Sequence, residues 1–201
     1  MIEDIYLEIW QLAKPYYEKG RAYDAAHIEW MMAQADRLAD MEHLDKTLLL
    51  PIVILHDVGY SSILTDNNPD IKDKAPKIAH MATGAKIAAD ILDQVGYSSP
   101  QKERIVHYIS VHDNWILDDD TPFQECREMA AFNDLDFLYT LSDHNSFVLM
   151  GQSMKKTPSE TYNYWLQDEK LTRRPFCCAE TKRMFADFMN TRKSDIATRN
   201  Y

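Results

Sequence analysis

The chain has little of the residues that interrupt regular structure. Its 201 residues include 5 glycines and 8 prolines, and no segment of low complexity, which excludes long disordered linkers. Cysteine is scarce as well. Cys126, Cys177 and Cys178 form an odd set without framework spacing, and adjacent cysteines such as 177 and 178 rarely pair with each other. All three read as reduced thiols of a cytoplasmic protein. Long apolar runs are also missing: the longest, Leu48 to Leu55, has 8 residues and ends in His-Asp, too short for a spanning helix. The opening MIEDIYLEIW is acidic and amphipathic and lacks the basic start and apolar run of a secretory leader. Positive charge is in deficit, 22 basic against 32 acidic residues for a net −10. That balance argues against broad contact with nucleic acid. It leaves room for a small anionic substrate, because bound divalent cations reverse the field locally. Neither a membrane nor nucleic acid is an expected partner.

What is present is an ordinary globular balance, 45% hydrophobic and 27% charged, in a length that suits one domain, 1–201. The apolar positions recur with helical spacing throughout, and strand patterns are nearly absent. In residues 2–18 the repeat is Ile2, Ile5, Tyr6, Ile9, Leu12 and Ala13. Further helices are expected over 22–40, over a segment running to about 58 with Pro51 as kink or late start, and over 78–95, 101–116, 127–143, 159–170 and 177–193. Residues 59–76 hold the turn formers and read as a long loop, a kind of segment that often carries function. The expected fold is an all-α bundle.

Histidine and aspartate supply the chemistry. His56-Asp57 closes a strongly apolar helix, where an ionised carboxylate beside an imidazole is costly unless compensated. A divalent metal compensates it; so does a solvated helix end with histidine favoured by the dipole. His27 shares its face with Trp30, Met31 and Gln34. His80 continues into Gly84, Ile87 and Ile91, and Gly84 permits close approach of another helix. His112 lies in a stripe with Ile105, Ile109 and Ile116, whereas His107 points away from it, toward solvent. Asp136 shares a face with Phe132, Tyr139 and Asp143; Asp134 points to nearly the opposite side. Three histidines and two aspartates on inward faces are expensive as plain core and economical as ligands inside a bundle.

In order, His27 in YDAAHIEWMMAQADRLA, His56-Asp57 in LLLPIVILHDVGY, His80 in HMATGAKIAADILDQVGY, His112 in IVHYISVHD and Asp136 in NDLDFLYTLSD resemble the HD superfamily of metal-dependent phosphohydrolases. The resemblance covers roughly 20–145 in order, separation and apolar flanks. It departs after the His-Asp pair, where Val58-Gly59-Tyr60-Ser61 stands in place of the basic residue of cyclic-dinucleotide hydrolases. It implies an HD-domain helical core over about 20–145, with a C-terminal helical extension over about 155–195. It also implies a metal on His27, His56, Asp57 and Asp136, with Asp134 as the alternative for the last ligand.

The same resemblance implies hydrolysis of a phosphate ester or anhydride in a nucleotide or other small phosphorylated metabolite. The cofactor is one or two divalent ions, drawn from Mn, Fe, Co, Zn or Mg. His80 and His112 are available for a second ion, with Asp57 bridging; the alternative is that they hydrogen-bond phosphate. Asp57 is the expected catalytic carboxylate. Asp113 is a candidate general acid or base, against a solvated helix-end charge. Lys74 and Lys77 are candidates for substrate phosphate, against plain surface lysines. A di-iron HD-type oxygenase and a non-catalytic ligand-binding module are the other readings, and homo-oligomerisation is left open.

Overall fold

The computed structural model describes residues 2–20, 24–63 and 74–198, and among them every regular element is helical. In chain order these are α1 (Asp4–Lys19), α2 (Asp24–Glu42), α3 (Lys46–Leu55), α4 (Lys74–Gln94), α5 (Ser99–Val111), α6 (Thr121–Glu125), α7 (Arg127–Ser142), α8 (His144–Ser153), α9 (Pro158–Leu166), α10 (Lys170–Arg173) and α11 (Ala179–Thr198). Single 3-10 turns follow α3 (Val58–Ser62) and α5 (Asn114–Leu117). No helix among the described residues is long and apolar enough to cross a membrane. The chain divides into two compact units, 1–132 and 133–201, with the division falling inside α7.

In the first unit α3 is the central element. Leu48 through Leu55 are all buried, as a helix apolar on every side must be, and α1, α2 and α5 pack around it. Asp45 caps its start by accepting from the Thr47 amide at 2.9 Å. At its other end the Ile54 carbonyl, one of the four without a helical partner, accepts from the Tyr17 hydroxyl at 2.6 Å. Pro51 sits inside the helix, so it marks neither its start nor its end. α3 stops at Leu55, three residues before the expected end. His56 still has helical backbone angles, Asp57 turns to φ −99°, ψ 4°, and the tighter 3-10 turn begins.

The expected loop over 59–76 is shortened from both sides. Its first residues belong to the 3-10 turn, residues 64–73 lie outside the described ones, and α4 begins at Lys74. Pro76 did not delay that start, because in the first turn its missing N–H has no helical acceptor to lose. α5 likewise ends at Val111, short of the expected 116, and gives way to the second 3-10 turn.

The second unit holds a small apolar cluster of Leu141, Phe147, Trp165 and Met189, with Phe137, Phe185 and Phe188 against it. A Thr157–Glu160 capping box starts α9. α8 falls in a stretch with no expected helix. Its signal was the Asp143 cap, which accepts from the Ser146 amide at 2.9 Å. A buried polar knot ties α7, α10 and α11 together. Lys170 donates to Asp134 and, at 2.7 Å, to the Arg174 carbonyl. The other Asp134 oxygen accepts from the Cys177 amide at 2.8 Å and the Thr181 hydroxyl at 2.7 Å.

Lys170→Ala strands a buried carboxylate and should lower unfolding free energy by about 3–5 kcal/mol in urea denaturation. A β-carbon on residue 59 would lie 2.0 Å from the His80 carbonyl oxygen and 2.7 Å from the Gly84 amide nitrogen, both backbone atoms. Gly59→Ala should therefore cost about 3 kcal/mol or more. At Gly84 the nearest such contacts are 3.4 Å and helix propensity gains about 1 kcal/mol, so Gly84→Ala should stay within about 1 kcal/mol of wild type. Equal losses for the two glycine variants would contradict the close approach at residue 59.

Candidate metal centre

Two backbone features build the centre from the first unit. The first is the contact of the 3-10 turn with α4, which sets His80 beside the end of α3. The second is a local conformation used twice. His56 and His112 each stand at the end of a helix with helical angles. Each is followed by an aspartate near φ −100°, ψ 10° and then a 3-10 turn: Asp57 at −99°, 4° and Asp113 at −110°, 16°. In both, the imidazole Nδ1 meets the carbonyl three residues earlier, Val53 O at 2.9 Å and Ile109 O at 2.7 Å. A carbonyl can only accept, so Nδ1 carries the proton and Nε2 keeps its lone pair, the tautomer that ligates metal.

These side chains converge. His27, His56 and Asp57 form one group whose ligand atoms lie within 4.8 Å of one another; Asp57, His80 and His112 form a second. Asp57 belongs to both. Its Oδ2 lies 3.5 Å from His56 Nε2, and its Oδ1 lies 3.4 Å from His80 Nε2 and 3.6 Å from His112 Nε2. His80 Nε2 and His112 Nε2 are 3.0 Å apart. All five residues are buried. Phe132 supplies an apolar wall, edge-on to His56 at 4.9 Å and to His112 at 6.0 Å between centroids. Burial pushes the His80 pKa down despite the Asp57 hydrogen bond and charge, favouring the neutral ring. A buried carboxylate among buried imidazoles, with the Nε2 atoms of His56, His80 and His112 turned toward it, is a donor set that fits a divalent cation.

The structure corrects the solvated reading of Asp113. It is 4% exposed: Lys77 Nζ contacts its Oδ2 at 2.5 Å, and the Trp115 indole N–H donates to its Oδ1 at 2.8 Å. The same Oδ2 lies 3.6 Å from His80 Nε2 and 3.9 Å from His112 Nε2. Burial opposes its charge, but Lys77, His112 and His80 outweigh it and hold the carboxyl well below the usual carboxylate range. Lys77 also lies over the Trp115 ring, 5.3 Å from its centroid. It is therefore a built part of the centre and no plain surface lysine. Lys74 is exposed at the start of α4.

Asp136 is half-buried in the second unit, one turn beyond Phe132 within α7, and belongs to neither donor group. Asp134 is engaged by Lys170, Cys177 and Thr181. His107 is exposed, as its helical position requires. Tyr60, Phe132 and Trp115 were not legible as site residues, because an aromatic at an apolar helical position carries no signal beyond core.

The HD domain family model matches residues 24–136, and the chain belongs to that family. Searches of curated proteins and of solved structures gave no match.

His107 and His112 give a direct contrast. His107→Ala should change stability by less than about 0.5 kcal/mol, as exposed substitutions do, and leave metal content unchanged. His112→Ala should lower the number of bound ions. Metal loss in the His107 variant instead would show that the wrong face of α5 had been assigned to the centre.

Proposed function

We propose that the protein is a metal-dependent phosphohydrolase acting on a phosphate ester or anhydride of a small metabolite, with nucleotides as the leading class. The observation that carries the reading is the pair of donor groups sharing Asp57, with the Lys77 ammonium beside the second. Family membership supports metal-dependent hydrolysis as the general chemistry.

His27, His56 and Asp57 would hold one cation and Asp57, His80 and His112 another. Asp136 as a further ligand rests on the family resemblance alone. When bound, divalent cations supply Lewis acidity toward phosphoryl oxygens and make water nucleophilic near neutral pH. The remaining work falls to the chain's own groups. The carbonyls of Val53 and Ile109 fix two imidazoles so that their lone pairs need no rearrangement. Phe132 excludes water from the His56–His112 side. Asp113, held ionised well below the usual carboxylate range, is a weak proton acceptor and has no proton to give at neutral pH, so its part is to hold Lys77. Lys77 is the group for a phosphoryl oxygen, with Asp113 holding its ammonium in place until substrate arrives. Lys74, one turn earlier on α4, extends positive charge outward from it.

The test couples metal analysis of the purified protein to a phosphate-release screen over nucleotides, sugar phosphates and simple aryl phosphates. The expected result is up to two ions per chain and release from at least one class. Asp57→Ala should lose both ions, whereas His27→Ala and His112→Ala should each retain one. Iron with a visible absorption band, dioxygen consumption and no phosphate release would overturn the proposal in favour of an oxygenase.

A further inference from the structure

Three imidazoles turn Nε2 toward Asp57, and they are held in two different ways. His56 and His112 are fixed by Nδ1–H donation to the carbonyls of Val53 and Ile109. His80 lacks that device: its Nδ1 is buried with no hydrogen-bond partner among the described residues. What it has is a ring face. Tyr60 and His80 stack with centroids 4.1 Å apart and planes 8° from parallel. The contacts of His112 with His56 and with His80 are edge-on, at 80° and 85°. Tyr60 itself has little freedom, being 2% exposed and following the residue whose backbone meets α4 at His80 and Gly84.

We propose that Tyr60 is the positioning residue of His80. Its ring face sets the imidazole orientation that a carbonyl sets for His56 and His112, and so governs the affinity of the second donor group. The electron-rich face of the phenol would strengthen the pairing in a further way. A cation on Nε2 withdraws charge from the imidazole, and a ring so depleted is attracted more strongly to the electron-rich face of a phenol. The inference rests on the two-position reading of the centre, and it concerns one position only. His27 and His56 meet each other edge-on, at 77°, and His56 has its carbonyl anchor, so the first group serves as an internal control within the same protein.

The experiment is a titration of the full-length, metal-stripped protein with cobalt(II), followed by calorimetry and visible absorption. Wild type should show two binding steps, and His112→Ala should lose the second. Tyr60→Phe retains the ring and should bind as wild type does. Tyr60→Leu should weaken the second step by about 10–100-fold, the range for residues that orient a ligand, and leave the first unchanged. If the leucine variant does not fold, Tyr60→Met, which adapts to irregular cavities, carries the same comparison. A general packing role would weaken both steps together, and that result overturns the proposal. An unchanged second step in the leucine or methionine variant also overturns it while leaving the two-position reading intact. A wild-type protein with a single step overturns both.

Discussion

No β-carbon fits on residue 59, and the first unit depends on that. The 3-10 turn after α3 can lie against α4 only because its second residue offers bare backbone, 2.0 Å from the His80 carbonyl at the point a methyl group would need. Bringing the turn that close carries His56 and Asp57 from the end of α3 to His80 on α4. Moving α4 outward by the radius of one methyl group would separate Asp57 from His80 and dissolve the second donor group. Gly84 faces the same contact from the helix side, where an added β-carbon would meet its nearest atoms at an ordinary 3.4 Å. Of the two glycines, the one in the turn bears the constraint.

Fold class and most residues of the two donor groups were legible because both follow from periodicity. Histidine at 27, 80 or 112 on an otherwise apolar stripe is conspicuous, and a stripe also predicts which way His107 faces. Breaks in the helices were less legible. α3 and α5 both give way at His-Asp to a 3-10 turn, and although Gly59 stands in the first of these turns, no glycine or proline stands in the second. The signal lies in the dipeptide itself: an imidazole that bonds back to the carbonyl three residues earlier occupies a group the next turn would use. Asp113 was undervalued for a related reason. Nothing within its own helix announces a partner, since Lys77 reaches it from α4, 36 residues earlier in the chain.

The two His-Asp pairs make the centre partly self-similar. Both histidines take helical backbone angles, the same kind of carbonyl anchor and the same lone-pair orientation, and both aspartates turn a carboxylate back toward histidine Nε2 atoms. Their surroundings differ. Asp57 faces three imidazoles and belongs to both donor groups. Asp113 is countered by an ammonium and an indole N–H. One conformation thus yields a shared ligand in one place and a charge-balanced carboxylate in the other.

A carboxylate shared by two donor groups would also couple their occupancies. Each oxygen of Asp57 is offered to a different set of imidazoles, Oδ2 to His56 and Oδ1 to His80 and His112, and its one negative charge is divided between them. An ion in one group would change the affinity of the other, and the reverse effect would be equal, because linkage between two sites is reciprocal. Two charges of like sign around one carboxylate repel, so filling the first position raises the free energy of filling the second. Under the proposed two-ion reading, the chain would then take up one ion firmly and the other loosely without needing two differently built sites.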